Sequence, residues 1–341
     1  MITNKQREEL EKQQYRLVGN HSAVKVCGWT KNHIRGKGIC YKYKFYGIRS
    51  HQCLQMTTSL FCANRCKICW RGEKAPVAKT WFGEIDSPSM VLDNSIREHK
   101  QLIVGFFGSD SSDKNLLGEA QTVKHVALSL TGEPIVYPRI NEILEDFHKR
   151  KISTFLVTNG QYPEQIRKIK NLTQLYISVD APNKEMLREI DRPLFPDYYE
   201  RFLKSLELMQ KKKFRTCLRV TLIKNINDKE ELLADYKEHI ELAMPEFVEV
   251  KAYMFLGASR EVMQEENMPY HEDVTEFTKK LVEVLPDYEL VDEYTPSRVI
   301  LLARKDYVGK QFIDFQKFFD VVNAGEEISA EDYSVSEMQE N

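Results

Sequence analysis

From about residue 100 onward, short apolar runs alternate with longer segments whose apolar residues recur every three or four positions. A strand buried on both faces reads as an unbroken apolar run, whereas a helix lying on a sheet carries an apolar stripe. Strands are therefore expected at 102–107, 125–130, 153–157, 175–179, 216–223 and 247–255, with two more near 288–292 and 298–303. Helices are expected over 137–149, with Pro138 near the start, and over 198–212, 229–243 and 273–284. Repeated βα units with right-handed crossovers predict an α/β fold around a parallel sheet, open or closed into a barrel. The strands end on polar or small residues: Thr158-Asn159-Gly160, Asp180-Ala181, Lys224-Asn225, and Leu256 through Ser259. In barrels the chemistry sits at such C-terminal strand ends. The polar stretch 108–118 reads as a loop that can close over a site.

The rest of the chain has a different texture. Residues 3–17 read as a polar helix capped by Thr3 or Asn4. Residues 19–61 are rich in glycine and aromatics and show little helical periodicity. The last stretch, 318–341, is acidic with no Lys or Arg, and reads as a disordered tail. These boundaries divide the chain into an extension over 1–57, a βα domain over 58–317 and the tail. No apolar run approaches the roughly 20 residues that span a bilayer. The charged N-terminus lacks a signal-peptide core, so a soluble, cytoplasmic protein without membrane contact is expected.

Charge changes the picture further. The net charge of −2 hides an asymmetry, because residues 12–72 hold twelve Lys or Arg and no Asp or Glu, the next acid being Glu73. With Tyr41, Tyr43, Phe45 and Tyr46 interleaved, that window fits nucleic acid: cations pair with phosphates and rings stack on bases. The alternative is that the cations offset negative charge on metal clusters.

Cysteines supply that second possibility. Cys62, Cys66 and Cys69 follow the spacing C-x3-C-x2-C. Clustered thiolates are soft ligands that select zinc, copper(I) or iron–sulfur clusters. Three ligands on a four-iron cube leave one iron open for a substrate or cofactor. Upstream, Cys27, Cys40 and Cys53 stand at equal intervals, C-x12-C-x12-C. Spacing alone allows a second cluster, or a structural zinc with His21, His33 or His51 as fourth ligand. Seven cysteines, an odd count, argue against a disulfide framework in a reducing compartment.

The Cys62–Cys66–Cys69 spacing resembles the signature of radical S-adenosylmethionine (SAM) enzymes. Taken with the upstream cysteines and the tract from Cys40 to Cys53, it closely resembles the tRNA 4-demethylwyosine synthases, in their short archaeal form without a flavodoxin-like domain. The resemblance implies a partial (β/α)6 TIM-like radical SAM barrel preceded by a cysteine-bearing extension. It implies two 4Fe–4S clusters, on Cys62, Cys66 and Cys69 and on Cys27, Cys40 and Cys53. Thr131-Gly132-Glu133-Pro134 looks like the motif that holds the SAM amino group, with Thr131 in place of a first glycine. Thr158, Asn159, Ser178 and Asp180 match the places that bind ribose and carboxylate, and Asn225 and Lys251 end later strands that face the same pocket.

The implied substrate is tRNA-Phe carrying N1-methylguanosine 3′ of the anticodon. Reductive cleavage of SAM gives a 5′-deoxyadenosyl radical that takes hydrogen from the N1-methyl group, and pyruvate supplies two carbons to close a third ring. The lysine two residues after the middle cysteine, Lys42, fits the family pattern for a Schiff base with pyruvate, and Lys44 is the alternate. Phosphate contact is the other reading of both lysines. A monomer with an external electron donor follows from the resemblance. Two other classes remain open: a different radical SAM enzyme, which would not need the basic window, and a zinc-stabilised RNA-binding module.

Overall fold

A computed structural model describes residues 3–71 and 76–339. Residues 1–2, 72–75 and 340–341, including the Glu73 that closes the basic window, lie outside the described residues. The chain opens with α1 (Asn4–Lys12), started by a capping box between Thr3 and Gln6 as the sequence suggests. The hairpin β1 (Arg16–Val18) and β2 (Ser22–Val24) follows, then the short helices α2 (Gly28–Ile34) and α3 (Tyr41–Tyr46), and β3 (Cys53–Thr57). Next come α4 (Pro88–Val104), α5 (Lys114–Glu119), β4 (His125–Leu128), α6 (Ile140–Lys149), β5 (Ser153–Thr158), α7 (Pro163–Lys168) and β6 (Gln174–Val179). They are succeeded by α8 (Lys184–Asp191), α9 (Tyr198–Gln210), β7 (Arg215–Leu222), α10 (Leu233–Ala243), β8 (Phe247–Ala252) and α11 (His271–Glu283). The chain finishes with β9 (Tyr288–Tyr294), β10 (Val299–Arg304), β11 (Phe312–Ile313), α12 (Phe315–Asn323) and β12 (Ser334–Val335).

Strands β3 to β8 are six parallel neighbours in sequence order. The β1–β2 hairpin extends one edge and β10 and β9 extend the other, all antiparallel. The sheet is thus an open, partial barrel of six βα units, as expected. Among the described residues no helix is long and apolar enough to cross a membrane.

Several expectations fail. The stretch 108–118, read as a loop closing over a site, carries α5 from Lys114 onward and lines no part of the main cavity. The run 102–107 is not a strand; it is the end of α4 and a following 3-10 turn. Ser87 caps that helix with Pro88 at its start, and Val91, Leu92, Ser95, His99 and Ile103 are buried at helical spacing. Read alone the run is continuous, but it continues a 3.6-residue stripe begun a dozen residues earlier. The first barrel strand is instead β3, inside the stretch read as irregular.

The acidic tail is also folded. Phe315, Phe318 and Phe319 of α12 are buried, and Tyr333 is fully buried. The Tyr333 hydroxyl donates to the Thr173 carbonyl at 2.8 Å and accepts from the Arg215 amide at 2.8 Å. The fully buried Arg215 guanidinium donates to Ser334 Oγ and the Gln311 carbonyl. This segment therefore covers the strand starts opposite the site. Its described acids, Asp320 on α12 and Glu326, Glu327, Glu331, Asp332 and Glu337 after it, are all exposed while apolar residues between them are buried, a segregation that average composition cannot reveal.

Buried histidines give a stability prediction. Burial holds His99 and His239 down to about 4 and His125 and His148 down to about 3, all four being nearly inaccessible. In the unfolded chain they titrate near 6.5. Below that pH the unfolded chain takes up protons that the folded chain refuses, so stability present above about 6.5 declines as pH falls toward 4. Each histidine contributes a slope of about 1.4 kcal/mol per pH unit in that window. The urea midpoint should drop steeply between pH 7.5 and pH 5.5; an unchanged midpoint would contradict this.

Candidate functional site

A cavity of about 460 Å3 opens at the C-terminal ends of the barrel strands. Cys62, Cys66 and Cys69 line it, on the loop between β3 and α4. The loop is pinned from several sides: Arg65 and Lys67 amides donate to the Asp191 and Ile190 carbonyls, and the Ala258 amide donates to the Trp70 carbonyl. The Cys62 sulfur accepts from the Asn64 amide at 3.4 Å and from Asn159 Nδ2 at 3.3 Å. All three thiols are free. Burial, then neighbouring Glu133, pushes the Cys62 thiol up to about 12, and burial, then Asp191, lifts Cys66 well above the ordinary value.

Most of the expected cofactor residues meet here. Thr131, Gly132, Glu133, Thr158, Asn159, Ser178 and Asp180 line the cavity, as does Lys251. Gly132 has a φ of +70°, and a Cβ there would lie 1.9 Å from the Ser59 carbonyl oxygen, so no side chain fits. The Glu133 amide is tied to the Phe61 carbonyl at 2.8 Å, and its Oε2 accepts from the Asn159 amide at 3.1 Å. Burial raises this carboxyl to about 7, and its Oε1 is buried with no partner among the described residues. Asn225 is a correction: it does not line the cavity but sits exposed in a left-handed turn after β7, with a φ of 65° that asparagine tolerates. Asn227 does the buried work nearby, bridging the Asp180 and Thr221 carbonyls.

Helix α3 fills the inside of the barrel one layer deeper. Tyr41 and Tyr46 each donate to Glu249 of β8 at 2.9 Å. The Lys42 amine stands 4.2 Å from the centre of the Tyr176 ring on β6, two residues below Ser178. Burial lowers its pKa, with Arg219 adding to the effect. Lys44, by contrast, reaches the surface, where Asp292 holds it at 2.7 Å.

Cys27 and Cys40 precede α2 and α3, and Cys53 opens β3, so each interval of twelve residues returns the chain to one place. All three are half-buried free thiols. Burial first, then the neighbouring Cys27, pushes Cys40 and Cys53 up to about 12, while Lys42 pulls both down. His51 has both ring nitrogens engaged, with His33 at 3.1 Å and Glu119 at 2.7 Å. His21 likewise contacts the Thr58 carbonyl and the Asp86 amide. Neither ring is free to complete a zinc site.

Distant acids offset part of the basic window: Lys44 pairs with Asp292, Arg49 with Glu119 and Lys67 with Glu189. Lys31 contacts Gln14 and Arg35 stacks on Phe106, and neither has an acidic partner among the described residues. Sequence reading missed Arg219 and Asp191. Arg219 lines the cavity, and Asp191 lies with Cys66 and Asp180 so that their ligand atoms fall within 4.8 Å of one another. The alternation Arg215, Cys217, Arg219, Thr221 along β7 was the available signal: polar residues at period two mark one face, here the inside of the barrel.

Comparison with known proteins decides the family. The radical SAM superfamily model matches residues 56–236, and a model for wyosine base formation matches residues 242–304. A solved TYW1 structure with a lysine–pyruvate adduct bound is 36% identical, with a TM-score of 0.81 covering 92% of this chain and 99% of that one. A crystal structure of archaeal TYW1 is 34% identical, with a TM-score of 0.73 over 90% and 98% of the two chains. The chain belongs to the TYW1 family of radical SAM proteins. Among curated relatives, the SAM-dependent tRNA 4-demethylwyosine synthase TYW1 of Xenopus laevis is 45% identical over 95% of this chain and 44% of its own length. The corresponding synthase of Arabidopsis thaliana is 44% identical over 98% and 52%. The chain thus spans about half the length of the curated relatives it matches. Membership brings SAM and a 4Fe–4S cluster as cofactors. The three free thiols, the amide donors on the Cys62 sulfur, the orphaned Glu133 Oε1 and the glycine cradle at Gly132 fit them.

Proposed function

We propose that this chain is a SAM-dependent tRNA 4-demethylwyosine synthase, which joins N1-methylguanosine of tRNA-Phe with two carbons of pyruvate. The observation that carries the reading is the pairing of two thiol triads in one barrel, with the Lys42 amine set beside the second. Cys62, Cys66 and Cys69 would hold one 4Fe–4S cluster, and Cys27, Cys40 and Cys53 a second. When bound, the first cluster and SAM supply reductive cleavage and hydrogen abstraction, and the second supplies an open iron to the keto acid.

The chain's own residues do the rest. Glu133 presents a buried carboxylate oxygen to the SAM ammonium, and Gly132 lets the ligand approach the backbone. Lys42, its amine made easier to deprotonate by burial, adds to C2 of pyruvate. The carbonyl oxygen then leaves as water carrying both amine protons, which leaves an imine. The lysine–pyruvate adduct in the TYW1 structure at 36% identity supports a lysine in this role. The Lys31–Arg35 face of the basic window remains available to RNA phosphates.

The test is mass spectrometry of nucleosides from methylated tRNA after anaerobic incubation of reconstituted protein with SAM, pyruvate and a reductant. The tricyclic base is the expected product, and it should require pyruvate. Steady 5′-deoxyadenosine formation with no tricyclic base on any methylated tRNA would point to another radical SAM activity.

A further inference from the structure

Arg219 stands midway along β7, level with Ser178 of β6 and Glu249 of β8 in the strand register. Its Nε donates to Glu249 Oε2 at 2.9 Å. That carboxylate also accepts from Tyr41 and Tyr46, so three donors fix it and it in turn fixes the guanidinium. The arginine is therefore preorganised rather than mobile. Its Nη2, however, is buried and has no partner among the described residues, although Arg219 borders the cavity. A buried cationic donor without an acceptor is costly, and it marks a place where an anion fits.

The surroundings define that anion. The Arg219 guanidinium and the Lys42 amine both lie against the Tyr176 ring, 4.7 Å and 4.2 Å from its centre. The Tyr176 hydroxyl is itself buried without a partner. Lys251 is buried close enough for its charge to be felt by Arg219 and is held by the Ser297 carbonyl at 2.9 Å. Lys42, Arg219 and Lys251 converge here, with Glu249 and Asp180 as the carboxylates that act on Arg219, and of these three cations only Arg219, at Nη2, keeps a buried donor without an acceptor among the described residues. A planar guanidinium edge suits a carboxylate, and an amine nearby suits a carbonyl carbon. A 2-keto acid carries both on adjacent carbons.

We infer that Arg219 binds the carboxylate of the 2-keto acid whose C2 reacts with Lys42. The inference rests on the proposed role of Lys42 and adds the second point of recognition. SAM also has a carboxylate, but its amino group is assigned to Glu133, after β4, three strands away from β7. Glu249 is a positioning residue in this scheme, acting only through Arg219.

Cyanoborohydride trapping tests the idea on the reconstituted protein. The reduced lysine–pyruvate adduct is located by peptide mass spectrometry, and its yield is followed against pyruvate concentration. Loss of one charged hydrogen-bonded contact should raise the half-saturating pyruvate on the order of 10- to 100-fold in Arg219→Gln, and less in Arg219→Lys. SAM affinity, measured separately, should hold. The parent protein should trap pyruvate far better than methyl pyruvate, though the ester is the more reactive ketone, and Arg219→Gln should lose that preference. The ester comparison on the parent protein needs no variant to fold. If the ester traps as well as pyruvate, or if Arg219→Gln traps like the parent, the inference is overturned. A fall in SAM affinity with unchanged pyruvate dependence overturns it too, by reassigning Arg219 to SAM. If the parent adduct maps to a lysine other than Lys42, the underlying reading fails, while the pyruvate dependence of Arg219→Gln still reports on Arg219.

Discussion

Cys62→Ala, Cys66→Ala and Cys69→Ala should each abolish formation of 5′-deoxyadenosine. The three thiols line the same cavity as Glu133 and Gly132, so cofactor and cluster share one wall of the site. Two thiolates cannot hold a four-iron cube that leaves one iron differentiated. The loss should reach the detection limit rather than a partial rate, because no neighbouring thiol stands in: Cys217 is buried in the barrel core beside Tyr46. The fold should survive, since the loop is held mainly by backbone hydrogen bonds to Ile190, Asp191 and Ala258. The assay is 5′-deoxyadenosine by liquid chromatography after reduction with SAM, alongside iron content and circular dichroism. Parental product from any of the three variants would exclude the assignment.

The second large effect separates the two triads. Lys42→Ala should stop formation of the tricyclic base while sparing iron content at both triads and SAM cleavage. Lys42 does not border the cavity that holds Glu133; its amine lies one layer deeper, on the Tyr176 ring. Cys40→Ala should also eliminate the base but leave slow, uncoupled SAM cleavage, because Cys40 caps α3 in the N-terminal extension and is not on the loop of the first triad. Holding the keto acid beside the reacting methyl group is the step that both changes remove, and proximity of that kind is worth several powers of ten in rate. 5′-Deoxyadenosine and the base are measured in the same reaction. Parental yields of base from Lys42→Ala would end the Schiff-base assignment to Lys42, and Lys251, which lines the cavity itself, would be tested next. Lys44 is the weaker substitute, since Asp292 holds it at the surface.

How far the sequence led depends on the kind of signal. Strands β4 to β8 were legible because a parallel strand covered by helices on one side and core on the other must be apolar throughout. The first triad was legible because its ligands fall within one loop, and the strand-end residues because βα units place their C-terminal ends at one rim. Gly132 and Glu133 were found through the family motif they resemble, and the structure adds why the glycine is needed: the Ser59 carbonyl leaves no room. Asn225 was misplaced because a turn that demands a left-handed residue and a strand end that faces a ligand look alike in sequence.

What the sequence determined by itself was the local chemistry: the thiol spacings, the acid-free basic window and the alternation of strand and helix. The tertiary structure alone decided which of these meet. Acids from beyond residue 100 could neutralise the basic window or leave it bare, and only folding brought Asp292, Glu119 and Glu189 to Lys44, Arg49 and Lys67. Only folding put α3 inside the barrel, so that Lys42 came to Tyr176 and Arg219, well over a hundred residues away in the chain. The same holds for the tail, whose acids suggested disorder until Phe318 and Tyr333 found a buried seat against the barrel floor. Periodicity reports which face of an element is apolar, but the partner that covers that face is set by packing between segments distant in sequence, where no local pattern reaches.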